Sequence, residues 1–176
     1  MTRSIVLVVK GSERMEPSER VEEMLERIVS AYSPMLLRLA STRLSSPADA
    51  EDAVQEVFLR LLSHPVEFRS SEHEKAWLIR CTLHRAGDIR KRAEKKNLPL
   101  EAAGELPTPE QLETDTILNA VRTLPQKYSS ILYLRYYEGY TAKEIGRFLG
   151  LPAATVGTRL ARGREKLKKL LKETED

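Results

Sequence analysis

Apolar positions recur at steps of three and four along most of the chain, which predicts helices rather than strands. Val21, Met24, Leu25, Ile28, Tyr32, Met35, Leu36 and Leu39 form the first series, opened by Pro17 and Ser18. Pro34 interrupts it. An interior proline costs roughly 3 kcal/mol in a helix, so a kink or restart is expected near Ser33. Ser46-Pro47-Ala48-Asp49 reads as a second helix start, with a cap, a first-turn proline and an early acid. Ala50, Ala53, Val54, Val57, Phe58, Leu61 and Leu62 then make one apolar face. Glu51, Asp52, Gln55, Glu56 and Arg60 occupy the other, and by itself such a face simply meets solvent. Residues 63–70 read as a loop containing Pro65. Ser71 and Glu74 form a capping box, and a helix is expected from 72 to about 92 with Trp77, Leu78, Cys81 and Ile89.

A proline-bearing stretch, 93–114, follows and reads as a linker. Asp115 starts the last unit. Ile117, Leu118, Val121 and Leu124 give a short apolar face, and Pro125 opens another helix. Tyr128, Ile131, Leu132 and Tyr136 are its expected buried set, and Gly139 closes it. Thr141 and Glu144 form a capping box, with Ile145, Phe148 and Leu149 on one face. Gly146 is small enough for a second helix to press close. Gly150 ends this helix, and Pro152 suits the first turn of the next. There Val156, Leu160 and Leu167 point inward, and Arg159, Arg162, Arg164, Lys166, Lys168 and Lys169 mostly outward. Two helices, a tight glycine turn and a basic second helix describe a helix-turn-helix suited to a DNA major groove. The alternative is a helical hairpin with a solvated basic face.

Charge sharpens this picture through its distribution, because the net charge of +3 is mild. Seven basic residues and one acid lie in 153–172, whereas five acids and no base lie in 101–115. Different segments therefore suit different partners. The basic end of the third helix, Arg90, Lys91 and Arg92, either complements the helix dipole or contacts phosphates. Cys81 is the only cysteine, which rules out an internal disulfide and suits a reducing compartment. The apolar run Ile5 to Val9 is too short for a secretory core or a membrane span. A cytoplasmic protein is expected, with Met15 as an alternative start. His64, His73 and His84 show no metal-ligand spacing with Cys81 or carboxylates, and no nucleophile motif or phosphate loop occurs. No enzyme activity, cofactor or metal is expected.

Several motifs together carry a family resemblance. In the C-terminal part these are Leu124-Pro125-Gln126-Lys127-Tyr128, Leu134-Arg135-Tyr136-Tyr137-Glu138-Gly139-Tyr140-Thr141, Leu149-Gly150-Leu151-Pro152, Thr155-Val156 and Arg159-Leu160. They resemble the C-terminal conserved region of bacterial extracytoplasmic-function sigma factors. The Asp49–Leu61 segment resembles that family's polymerase-binding helix. Phe68-Arg69, Ala76-Trp77-Leu78-Ile79-Arg80, Asp88 and Arg90-Lys91-Arg92 resemble its promoter-melting segment.

The resemblance implies an all-α fold of two small helical domains joined by an acidic linker. Its expected divisions are an extension at 1–17, a region-2-like domain at 18–92, the linker at 93–114, a region-4-like helix-turn-helix domain at 115–172 and a tail at 173–176. It implies that Glu51, Asp52, Gln55 and Glu56 dock on core RNA polymerase. It implies that Phe68, Arg69, Trp77, Arg80, His84, Arg85, Arg90, Lys91 and Arg92 serve the promoter −10 element, although packing in the core is the more natural role for Trp77, a single tryptophan on an amphipathic helix. It implies that Thr155, Gly157, Thr158, Arg159, Arg162 and Arg164, beside Ala153 and Ala154, face the −35 element. Promoter DNA and core polymerase are then the partners, an anti-sigma factor is a common third, and the free chain is a monomer that does not enter membranes. His84 stands where the family usually has Asn, Gly87 where a larger apolar residue is usual, and Gly157 where Lys is common. A stand-alone helix-turn-helix repressor, binding duplex DNA as a dimer, is the competing function.

Overall fold

The computed structural model describes residues 17–96 and 112–175, with side chains at 18–96 and 117–173. All regular structure among them is helical: α1 (Pro17–Ser41), α2 (Pro47–Ser63), α3 (Ser71–Lys95), α4 (Leu112–Thr123), α5 (Gln126–Tyr136), α6 (Ala142–Leu149) and α7 (Ala153–Glu175). Most of the expected linker, together with Ile5 to Val9 and Met15, lies outside the described residues. No described helix is long and apolar enough to cross a membrane.

Helices α1, α2 and α3 pack mutually into an N-terminal unit. Ile28, Leu36 and Leu39 from α1 meet Ala53, Val54 and Leu61 from α2 and Leu78, Ile79 and Leu83 from α3, all buried. Each large side chain so buried contributes about 1.5–3 kcal/mol of hydrophobic stabilisation. Helix α2 starts as its sequence predicts: the Ser46 hydroxyl accepts from the Asp49 N–H (3.3 Å), and Pro47 fills the first turn.

Two local expectations change here. Helix α1 runs through Pro34 without a restart. Proline removes the donor for the Ser30 carbonyl, yet the hydrophobic face on both sides stays in register with one core, and that packing outweighs the loss. The neighbouring Ser33 hydroxyl donates back to the Val29 carbonyl (2.6 Å). The cap of α3 is Ser70, not Ser71: its hydroxyl accepts from the His73 N–H (3.1 Å). Glu74 does not close a capping box, because its carboxylate takes Nη1 and Nη2 of Arg27 (3.0 and 2.6 Å) across the unit. That Arg27 bond holds the Glu74 carboxyl below its usual range. Burial, followed by a hydrogen bond to Glu74, pushes the Tyr32 phenol up to about 12.

In the C-terminal unit α5 is central, packed by α4, α6 and α7 and touched by α1. Tyr128, Ile131 and Leu132 are buried as expected, but Tyr136 is 53% exposed. Ser129, Ser130, Tyr133 and Leu134 are buried as well, because α1 covers a face that an amphipathic reading leaves to solvent. Ile117 and Leu62, both expected inward, are also exposed.

The helix-turn-helix forms on its sequence signals. Thr141 and Glu144 complete the capping box, and Gly150 adopts φ 66°. A Cβ on Gly146 would lie 2.6 Å from the Leu151 carbonyl oxygen, so the turn folds directly over this glycine. Gly163 does similar work farther along: a Cβ there would meet Leu132 at 3.1 Å, so its absence lets α7 lie close on α5.

Candidate nucleic-acid interface

Three surfaces carry the expected binding residues. On α2, Glu51, Asp52, Gln55 and Glu56 are all exposed. Leu59 and Leu62 join them at 58% and 43% exposure. The steps 52, 55, 59 and 62 follow one helical face, so this is an acid–amide strip with two bare leucines in it. Sequence reading put Leu62 in the core and passed over Leu59. The spacing from Asp52 was the available signal. Glu56 is also engaged at the strip's edge, where it accepts from Arg85 Nη2 of α3 (2.6 Å).

The second surface is α3 with the loop before it. Phe68 is half-buried and lies edge-on to His73 (5.7 Å between ring centroids) and to Trp77 (5.8 Å). Trp77 is itself half-buried, so it packs against the unit while keeping an accessible edge. Arg69 is exposed, and its N–H donates to His73 Nδ1 (3.3 Å). Arg80 and His84 are exposed one turn apart, on the same face as Trp77. His84 Nδ1 stands 3.4 Å from Asp88 Oδ2. Lys91 continues this face, and Arg92, exposed like it, flanks the end of the helix. Arg85 is turned to Glu56, and Arg90 lies round the helix with its Nε donating to Glu94 (2.8 Å). The basic residues of α3 therefore divide into an exposed row, in which His84 stands beside Asp88 and Arg80 Nε donates to the Ala76 carbonyl (3.2 Å), and a flank paired with glutamates.

The third surface is the start of α7. Ala153, Ala154, Thr158 and Arg162 are exposed, and Thr155 and Arg159 are half-buried beside them on one face. The Thr158 hydroxyl donates to the Ala154 carbonyl (3.0 Å). Gly157 lies on another flank, with open space where a Cβ would stand. Arg164 shares that flank and donates to the Tyr136 hydroxyl (3.0 Å). Arg159 reaches a groove that Arg80, His84 and Arg85 also line, so residues of the two sets expected to face DNA meet across the unit boundary.

That boundary carries a set of polar contacts. Arg38 Nε donates to the Tyr133 hydroxyl (3.0 Å), which in turn donates to Glu138. Burial, with the Glu138 bond second, raises the Tyr133 phenol far above its ordinary range. Thr42 and Ser130 share a hydrogen bond (3.2 Å), Arg43 Nε donates to Ser130 (3.1 Å), and Arg147 of α6 pairs with Glu72 of α3. Among the described residues no cluster of three or more His, Cys, Asp or Glu could hold a metal.

Residues 28–96 match the family model for sigma-70 region 2, and residues 114–167 match sigma-70, region 4. The chain is 31% identical over 164 residues to the ECF RNA polymerase sigma factor SigW of Bacillus subtilis, covering 83% of this chain and 88% of SigW. This chain belongs to the extracytoplasmic-function sigma factors of the sigma-70 family. The RNA polymerase sigma factor SigV of the same organism is 28% identical over 151 residues, covering 84% and 91% of the two chains. Among solved structures, the sigma factor RpoE of Bartonella quintana, bound to the anti-sigma factor NepR, superposes with a TM-score of 0.68 at 22% identity. That match covers 88% of this chain and 98% of RpoE. CnrH, bound to the cytosolic domain of CnrY, superposes with a TM-score of 0.67 at 20% identity, covering 89% and 95%. These two structures establish the common fold. The match to both regions in order places this sigma factor among initiation factors, whose work is binding rather than catalysis.

Proposed function

We propose that this ECF sigma factor directs promoter-specific initiation through three assigned surfaces. The exposed strip of α2, centred on Asp52, Gln55 and Leu59, docks on core polymerase. The Phe68–His73–Trp77 rings and the exposed row Arg80, His84 and Lys91 take the opened −10 strand, by stacking and by phosphate contact. The start of α7, with Thr155, Thr158, Arg159 and Arg162, reads the −35 duplex, where arginine can grip guanine through two hydrogen bonds. The observation that carries the reading is the α2 strip: acids, an amide and two bare leucines on one rigid helix suit a protein partner, whereas the basic helices suit nucleic acid. We place its action in the cytoplasm, beside the polymerase.

Geometry adds a requirement. The two promoter elements lie about 25 base pairs apart, roughly 85 Å at ~3.4 Å per pair. Arg159 and Arg80 line one groove. Both elements are therefore engaged only after the two units separate at their boundary. The solved relatives were captured with NepR or the cytosolic domain of CnrY. An anti-sigma factor is accordingly a candidate partner for this chain, keeping the units together.

The test is run-off transcription with purified core polymerase on linear promoter DNA. Asp52→Ala with Gln55→Ala should abolish polymerase pull-down while leaving helicity intact. Undiminished pull-down would refute the α2 assignment. A free chain that behaves as a stable dimer and binds palindromic duplex without polymerase would instead favour a repressor.

A further inference from the structure

Between the two units lies an open groove of about 890 Å³. The N-terminal unit supplies Arg43, Arg60 and Arg80, and the C-terminal unit supplies Leu149, Leu151 and Arg159. Ligand sites commonly enclose about 300–1,000 Å³ and combine apolar walls with a few placed polar groups. Here charge determines what fits.

The groove contains five arginines and two carboxylates. Both carboxylates are engaged, Glu56 with Arg85 and Asp88 beside His84. Arg43, Arg60, Arg80 and Arg159 have no carboxylate partner among the described residues. Arg43 is the most constrained of them. Its guanidinium donates to the Leu83 carbonyl (2.9 Å) and the Ser130 hydroxyl (3.1 Å), which are neutral acceptors. Burial, and then the nearby Arg90 charge, pull its pKa down. A cation partly withdrawn from water with no anion opposite is a costly arrangement that a bound anion relieves.

We propose that this groove binds a small molecule carrying two or more phosphate groups, of the nucleoside diphosphate or triphosphate class. Arg43, Arg60, Arg80 and Arg159 hold the phosphates, since arginine matches phosphate geometry through paired donors. Leu149 and Leu151 cover the uncharged part. Because the walls come from both units, the ligand favours the joined arrangement and opposes the separation that promoter engagement requires. This last step rests on the function proposed above; the binding itself does not.

The experiment is calorimetric titration of the full chain with ADP and, separately, with pyrophosphate. One saturable site with a Kd tighter than about 1 mM is expected for ADP. Arg43→Gln should weaken it at least about tenfold, equivalent to about 1.4 kcal/mol. Arg60→Gln, at an exposed position that does not support the fold, should also weaken it. Lys127→Gln, on an exposed position outside the groove, should leave it unchanged. The proposal is overturned by absence of saturable ADP binding, by full affinity in both arginine variants, or by equal weakening in Lys127→Gln. Pyrophosphate binding as tightly as ADP would overturn the part given to the leucines. Binding of a single-stranded oligonucleotide without either small ligand would also overturn the site. If ADP binds but does not inhibit promoter binding by the holoenzyme, the functional coupling fails and the site stands.

Discussion

Helix α2 of the N-terminal unit hides one face and leaves Glu51, Asp52, Gln55, Leu59 and Leu62 to solvent, whereas α5 of the C-terminal unit buries seven consecutive residues, Tyr128 to Leu134. Helix α2 packs chiefly on α1 and α3 of its own unit, and its outer face is exposed. Helix α5 serves its own core with Ile131 and Leu132, meets α1 with Tyr133, and meets Thr42 and Arg43 just beyond α1 with Ser130. The apolar contacts build a domain, and where the two domains meet, polar contacts stand beside buried apolar ones such as Leu134. The hydrogen bonds and half-exposed ion pairs of the joint add little net energy, because water offers the same groups similar bonds once they part. The contrast therefore separates what must stay folded from what can come apart.

The largest expected effect tests whether the units fold separately. Gly146→Val would drive a side chain into the Leu151 carbonyl, which cannot move without reopening the turn. Destabilisation of about 3 kcal/mol is expected, confined to the C-terminal unit. Thermal unfolding should split into two transitions, with only one lowered. A single transition shifted as a whole would show that the joint binds the units into one cooperative body. Glu74→Gln probes the other unit and should cost about 2 kcal/mol, discounted because Arg27 is half-exposed. Its pH dependence has a definite sign. Arg27 depresses the Glu74 pKa in the folded state, so the stabilisation is present above the ordinary carboxylate range and is lost as pH falls through the folded value. Parent and variant should differ fully at neutral pH and converge in acid, starting near pH ~4.3. A gap that is constant with pH would assign the loss to packing.

Leu59→Ala sharpens the reading of α2 as a docking face. Polymerase affinity should fall about tenfold, close to 1.4 kcal/mol, with the melting temperature unchanged because Leu59 supports no core. A drop in stability with full affinity would make the leucine structural.

This strip also marks how far the sequence could be read. Periodicity located the helices wherever one face met one core, as for Ala50, Ala53, Val54, Val57 and Leu61. Caps and turns around Thr141 and Gly150 were legible because their chemistry is local. Leu62, Ile117 and Tyr136 were misplaced, because apolarity alone does not say whether a side chain meets a core or awaits a partner. Ser71 does not cap because Ser70, one residue earlier, accepts from the His73 N–H, and Glu74 turns instead to Arg27, forty-seven positions away, a contact that no local window contains. The residues expected to face DNA were singled out by motif, but which of them pair with acids, as Arg85 and Arg90 do, depends on neighbours from α2 and from α3's own next turn.

Tyr133→Phe gives the smallest effect and bears most directly on the joint. The phenol is fully buried and bridges Arg38 of one unit and Glu138 of the other. Phenylalanine keeps the ring and its stack on Tyr137 (5.5 Å), so the C-terminal core should survive. Arg38 Nη2 already stands 3.5 Å from Glu138, so these charges can still pair directly and recover part of the loss. The net weakening of the joint should be about 1 kcal/mol, close to a fivefold shift towards separated units. Small-angle scattering should report a larger radius of gyration, and circular dichroism an unchanged helix content. If the joint restrains the DNA-facing helices, the variant assembled with core polymerase should bind promoter DNA somewhat more tightly. An unchanged radius would mean that Arg147–Glu72 and the Thr42–Ser130–Arg43 cluster hold the units without the phenol, and the same measurement on Arg147→Ala would then find where the joint gives way.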